Sequence, residues 1–250
     1  MNSLKVLVVG HSHTGALRRG LTNYIDGELA HRYEIINLGS LPNKGKGADI
    51  PPEVRKAIAA LHADVIVSAV HGNAHNIFGL VRHPQPFDFV VPKMPQLALD
   101  EDAVLLPYSS IVASFRAKAE AQTRLLFNLK TEFGLPMIHL QSPPPIPSEE
   151  HLRTYPGVFA EKIAEFGVAP ALLRHKLWWT MSDIFHEACA ALGVAYLQVP
   201  DCVKDNSGML LEQFWNNDPT HGNALYGAAI LRQVDDHISN QLQAGQLYEQ

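Results

Sequence analysis

Five short apolar runs, each separated from the next by a stretch with helical signals, constrain this chain more than any other feature. Lys5–Val9 is closed by Gly10, and Tyr33–Leu38, Asp64–Val70, Pro136–Leu140 and Ala195–Val199 follow it. Runs this short and this solidly apolar suit strands buried on both faces. Between them Thr14–Ile25, Glu53–His62, Ser114–Phe133, Val158–Phe166 and Ala171–Leu192 read as helices, and Ala224–Leu242 closes the chain as an amphipathic helix. Pro51 and Pro52 mark one helix start, while Gly134 and Gly193 stop two others. Strands that alternate with helices, each crossing back to a parallel neighbour, predict one α/β domain over residues 1–250. Its sheet should have about five parallel strands with helices on both faces. The exception is a Pro-rich insertion at about 76–107, where Pro84, Pro86, Pro92 and Pro95 interrupt any periodicity. Segments of that length serve as lids, binding loops or contact surfaces. Ser142–Pro147 should form a stiff, extended lip.

Charge and composition exclude several classes of function. Twenty Lys and Arg against 25 Asp and Glu leave a formal charge of −5. A nucleic-acid binder would need basic clusters to neutralise phosphates, and a basic amphipathic membrane helix is missing as well. No apolar run approaches the roughly 18 residues of a membrane span, and Val6–Val9 is too short for a signal-peptide core. The expectation is a cytoplasmic protein with no membrane or nucleic-acid partner; its oligomeric state is left open. Cys189 and Cys202 could form at most one bridge, so they are expected to be reduced and structural. The unusual figure is 13 His, because imidazole titrates near neutrality and serves catalysis or metal binding.

In a doubly wound sheet, ligands bind beyond the carboxyl ends of the strands. Four constellations fall there. Gly10-His11-Ser12-His13-Thr14-Gly15 joins the first strand to the first helix, where Ser12 is either an N-cap or a nucleophile. Asn37-Leu38-Gly39-Ser40 follows the second strand and could present an unobstructed Gly39 N–H. His71-Gly72-Asn73-Ala74-His75-Asn76 follows the third, as a turn or as a source of amide donors for an oxyanion. Asp218-Pro219-Thr220-His221 precedes the last helix. Asp218 either caps that helix or orients His221 as a general base.

In this order the four blocks resemble the SGNH (GDSL-type) hydrolase superfamily over residues 5–242. Gly10-His11-Ser12 is similar to the Gly-Asp-Ser block, Gly39 to the glycine of the second block, Asn73 to the asparagine of the third, and Asp218-Pro-Thr-His221 to the terminal Asp-x-x-His block. The resemblance implies a flavodoxin-like αβα sandwich and a serine esterase that needs no cofactor. Ser12 is then the nucleophile, His221 the base and acid, and Asp218 the residue that orients His221. The Ser12 N–H, the Gly39 N–H and the Asn73 side chain form the oxyanion hole. A small-molecule ester is the implied substrate.

The sequence departs from the family pattern at His11, where the aspartate should stand, at His13, where leucine is usual, and at His71, where the third-block glycine should be. These departures favour the alternative of a catalytically silent module with the same fold. If the third block is displaced, Asn76 becomes the donor. The histidines also raise a metal-dependent phosphoesterase, but the order of its blocks is inverted here and no Gly-Asp-x-x-Asp occurs. His11, His13 and His71 are expected at the mouth of the pocket as substrate contacts, Trp215 as a pocket wall, His75 as packing, and Trp178-Trp179 as core or interface. No basic cluster beyond Lys44 and Lys46 is expected at the strand ends, so a polyanionic substrate is not favoured. Short acyl groups on a carbohydrate or another small polar alcohol are expected instead.

Overall fold

The computed structural model describes residues 3–25, 27–41 and 47–245; Lys44 and Lys46 lie outside them. The strands are β1 (Lys5–Gly10), β2 (Arg32–Asn37), β3 (Val65–Ala69), β4 (Phe87–Asp88), β5 (Val104–Leu105), β6 (Met137–Leu140) and β7 (Ala195–Leu197). The helices are α1 (Thr14–Tyr24), α2 (Pro52–Leu61), α3 (Ala74–Gly79), α4 (Tyr108–Phe133), α5 (Glu149–Thr154), α6 (Ala160–Phe166), α7 (Ala171–Leu192) and α8 (Ala224–Gln243). Among the described residues the central sheet has five strands in the order β2-β1-β3-β6-β7, all of them parallel. That is the flavodoxin-like order, with the chain reversing direction across the sheet at the β1/β3 boundary.

Alternation along β1 divides the core. Val6 and Val8 point to one face, against Ala16 and Leu17 of α1 and Ile230, Leu231 and Val234 of α8. Leu7 and Val9 point to the other, against Val54 and Ile58 of α2 and Leu125, Leu126 and Leu129 of α4. All four β1 side chains are buried, which is why the run is apolar without a break. The α1–α8 crossing is close enough to need glycine: a Cβ on Gly20 would stand 2.3 Å from the Ala228 amide nitrogen. This contact fixes the element that follows β1 against the element that follows Asp218-Pro-Thr-His221.

The insertion packs as a third cluster, with Phe89 and Val91 against Ile111 and Phe115 of α4 and Leu177, Met181 and Phe185 of α7. Inside it β4 and β5 pair in parallel; strands of two residues leave no readable period. A buried ion pair anchors it. Lys176 Nζ donates to both Asp88 oxygens at 2.8 and 2.9 Å and to the Ala98 carbonyl at 2.7 Å. Asp88 also accepts from the backbone N–H groups of Phe89 and Asp100.

Several element boundaries differ from the sequence reading. Helix α4 begins at Tyr108 rather than at 114, directly after Pro107, whose φ of −60° is preset for a helix start. The predicted helix 158–166 is one 3₁₀ turn, Gly157–Phe159, followed by α6. Strand β7 stops at Leu197 because the Val199 N–H donates to the Gln141 side chain instead of to a strand. Trp178 is core, its indole N–H bonded to Ser142. Cys189 is buried, Cys202 is exposed, and both are free thiols. No helix among the described residues is long and apolar enough to cross a membrane.

Candidate active site

Ser12 sits in the turn between β1 and α1, exposed at the carboxyl edge of the sheet. The turn is locked from beneath: the Thr14 hydroxyl donates to the His11 carbonyl at 2.6 Å. Residue His13, not Ser12, occupies the helix N-cap, and it makes no side-chain cap bond. The Ser12 hydroxyl is engaged elsewhere, 2.7 Å from His221 Nε2. On the far side of that imidazole, Nδ1 lies 2.9 Å from Asp218 Oδ1. A carboxylate can only accept, so Nδ1 carries the proton and Nε2 presents its lone pair to the serine.

Asp218 does not cap α8 either. Asn223 does, its side-chain oxygen accepting from the Leu225 and Tyr226 N–H groups. Asp218 instead accepts from the His221 N–H at 2.8 Å, the Thr220 N–H at 2.9 Å and the Asn216 amide at 2.5 Å. Burial pushes its carboxyl up. The hydrogen bonds from His221, Thr220 and Asn216 outweigh that and hold it down at about 2. The turn is braced from outside as well, since His151 Nε2 donates to the carbonyls of Asn216 and Asp218 at 3.0 and 3.3 Å.

Ser12 and His221 open onto a pocket of about 400 Å³, whose wall includes His11, His13, His71, Asn73 and Gln122. Its histidines form a packed series. The His13 ring lies 4.8 Å from His221 and 5.2 Å from His71, and His71 lies 5.4 Å from the buried His139. His71 Nε2 is 2.5 Å from the Leu140 carbonyl, which makes it the protonated nitrogen. Burial lowers the His71 pKa to about 4; the bond to Leu140 opposes the fall and His11 adds to it. Burial, then His71, lowers His75 to about 3. His13 is held well below its ordinary value by burial first and then by the neighbouring imidazoles. His13, His71 and His75 are therefore neutral at neutral pH. Among the described residues no group of three or more His, Cys, Asp or Glu is placed to hold a metal ion.

The expected oxyanion donors fare unequally. Asn73 is exposed in the pocket wall, and its carbonyl oxygen accepts from the Asn76 amide at 2.9 Å. That bond leaves the Asn73 NH₂ as the end available to a ligand. Gly39, in contrast, does not border the pocket, and its N–H donates to Asn37 Oδ1 at 2.9 Å. Asn37 caps the 3₁₀ turn Leu38–Ser40 and takes up the donor that the open glycine was expected to offer. Trp215 is likewise absent from the pocket wall. Its indole N–H donates to the Leu210 carbonyl at 2.7 Å and its ring packs edge-on to His151, so it supports the Asp218 turn from behind.

No family profile matches the chain, and no curated protein matches it in sequence. Solved structures match it along nearly its whole length. One is a proposed platelet activating factor from Streptococcus pneumonia, at 12% identity and a TM-score of 0.52, covering 95% of this chain and 85% of that one. A second is a proposed acylhydrolase from Bacteroides fragilis, at 10% identity and a TM-score of 0.51, covering 96% and 89%. A third is a proposed SGNH hydrolase from Slackia heliotrinireducens, at 12% identity and a TM-score of 0.50, covering 95% and all of that chain. The chain has the SGNH-hydrolase fold. In this SGNH-type fold the sheet edge that carries Ser12 also carries Asn73 and His221, contributed by three separate connections.

Four residues of the site were not legible by motif. Asn216 and Thr220 bind Asp218, and His151 braces its turn, but each is an ordinary loop or cap residue in sequence. Gln122 had a usable signal. It interrupts the buried stripe Ile111, Phe115, Ala119, Leu126 and Leu129 of α4, and a polar residue on an apolar stripe marks a place where the helix faces something other than core.

Proposed function

We propose that this chain is a serine esterase that cleaves short acyl esters through an acyl-Ser12 intermediate. The observation that carries the proposal is the unbroken contact from Ser12 Oγ to His221 Nε2 and from His221 Nδ1 to Asp218. As Ser12 attacks the ester carbonyl, His221 Nε2 takes the hydroxyl proton and then gives it to the departing alcohol. Water, deprotonated by the same nitrogen, attacks the acyl-enzyme, releases the acid and restores Ser12. Asp218, held ionised, stabilises the imidazolium that forms between these steps. Neutral His13 beside His221 supports this reading, because a charged imidazole there would oppose that cation. The Ser12 N–H and the Asn73 NH₂ supply donors to the tetrahedral oxyanion. Polar walls of His, Asn and Gln favour a small acyl group, such as acetyl, on a hydroxyl-rich alcohol such as a carbohydrate.

One observation favours a second reading, a silent binding module with the same fold: the Gly39 N–H is tied to Asn37, so the oxyanion hole lacks its expected third donor. A fluorophosphonate probe separates the two. Labelling that Ser12→Ala abolishes, with turnover of p-nitrophenyl acetate and acetate release from acetylated sugars, is the expected result. A wild type that is neither labelled nor active on any of these esters establishes the module instead.

A further inference from the structure

The catalytic pocket is not the molecule's most apolar cavity. A second one, of about 310 Å³, opens where the insertion meets α3 and α4, with walls from Phe78, Phe87, Leu106, Ile111, Phe115 and Leu177. It is about twice the size of a cavity that stays dry and binds benzene, and it lies within the range of small-molecule sites. Its outer wall is held in place, because Asp88, next to Phe87, is clamped by the buried Lys176. Ordinary packing would fill such a space with side chains. Here Phe78 and Val104, both in its wall, are instead left 39% and 58% exposed, which is the pattern of a surface awaiting an apolar ligand.

Both cavities border the same two helices. Asn73 and Asn76, at the start of α3, and Gln122 of α4 face the catalytic pocket, whereas Phe78 of α3 and Ser114 and Phe115 of α4 face the apolar one. Seven residues of helix separate Phe115 from Gln122, about 10 Å at 1.5 Å per residue. We propose that the insertion builds a second subsite for an apolar alkyl chain carried by the ester substrate at its end remote from the scissile carbonyl. This rests on the esterase reading and refines its substrate class: the polar pocket takes the ester and the insertion takes the far, apolar end of the molecule. It also gives the insertion a role outside the catalytic pocket, since none of its residues beyond Asn76 lines that pocket.

The experiment uses Ser114→Trp, which places a ring in the cavity mouth from an exposed helix position and leaves the core intact, and Val104→Asp, which puts a charge on the exposed rim. Octyl acetate and p-nitrophenyl octanoate carry the alkyl chain on the alcohol and on the acyl side, and p-nitrophenyl acetate carries no such chain. Both variants should lower kcat/KM tenfold or more on whichever eight-carbon ester the wild type prefers and stay within twofold on p-nitrophenyl acetate. Equal effects on long and short esters, or no effect on either, overturn the subsite. Preference for the octanoate supports the subsite and overturns the short-acyl assignment. Binding of octyl acetate to the Ser12→Ala protein, followed by calorimetry, decides the case without turnover. Binding that Ser114→Trp weakens tenfold, in a chain whose wild type cleaves none of the three esters, keeps the apolar site and removes the esterase. No binding removes the site.

Discussion

Gly227 of α8 meets the backbone of Ala16 on α1 so closely that a Cβ at Gly227 would stand 1.9 Å from the Ala16 carbonyl oxygen. Neither backbone can yield without moving its helix. The α1 helix begins two residues after Ser12, and α8 begins three residues after His221, so the 2.7 Å contact between Ser12 and His221 is set by this crossing. Gly227→Ala should lower stability by about 1–3 kcal/mol, the usual cost of overpacking. It should also lower fluorophosphonate labelling of whatever fraction remains folded. Labelling at the wild-type rate in a folded Gly227→Ala protein would show that the site does not depend on the crossing.

Asp218 offers a test of the proposed triad that leaves its shape intact. With its carboxyl held at about 2, it stays ionised down to about pH 3, so no loss of activity above that pH should come from its protonation. Asp218→Asn removes the charge and places an amide opposite the His221 Nδ1–H. With the amide NH₂ donating to Nδ1, the proton moves to Nε2, which then faces Ser12 as a donor, and kcat should fall by about 10³–10⁴. A fall of less than tenfold on p-nitrophenyl acetate would mean that another group orients His221.

If Asn73 is the oxyanion donor proposed above, it should matter through kcat and hardly through KM, because its NH₂ would then meet charge that exists only in the transition state. Asn73→Ala is expected to lower kcat by about 10²–10³, the usual loss for one oxyanion donor. Asn76→Ala, which removes the group holding the Asn73 carbonyl oxygen, should cost less, since the donor remains but is less well aimed. The reverse ranking would make Asn76 the donor.

The buried imidazoles predict how stability varies with pH. His71 titrates near 4 and His75 near 3 in the folded chain, against an ordinary value of 6.5. Below 6.5 the unfolded chain therefore binds more protons, and stability falls as the pH falls. The contribution of His71 is full above about 6.5 and gone near 4, a loss of up to about 3 kcal/mol at 1.36 kcal/mol per unit. Urea midpoints measured between pH 7 and 4 should decline, and His71→Gln should flatten the decline. An identical slope in the variant would move the effect to other groups.

What the sequence discloses depends on whether a residue's role is local. The five strands could be read because burial on both faces makes each run apolar by itself, and Ser12, Asp218 and His221 because short motifs carry them. Gly39 misled for the same reason: its motif is local, but the acceptor that occupies its N–H, Asn37, depends on the conformation of the turn. Trp215 lies six residues before His221 in the chain, yet it packs behind the Asp218 turn rather than in front of it, a direction that proximity in sequence does not encode. Gln122 was marked in sequence as a polar break in the α4 stripe, but that the break meets this pocket is a fact of tertiary packing.

The Pro-rich insertion gave no periodic signal because long-range contacts, and not its own backbone pattern, hold it. Chief among them is the Lys176–Asp88 pair, whose side chains are 1% and 6% exposed. A buried pair adds little over a well-packed apolar pair, but removing one partner strands the other as an uncompensated charge and costs about 3–5 kcal/mol. Asp88→Ala should therefore destabilise the fold by about that much, because it also takes the acceptor from the Phe89 and Asp100 N–H groups. Lys176→Met leaves Asp88 with those two backbone donors and should cost less. If the insertion is one unit with the sheet, protease cleavage between 92 and 106 should track global unfolding in both variants. Cleavage there that leaves a stable, folded fragment would instead mark the insertion as an independently opening piece, with Lys176–Asp88 as its latch.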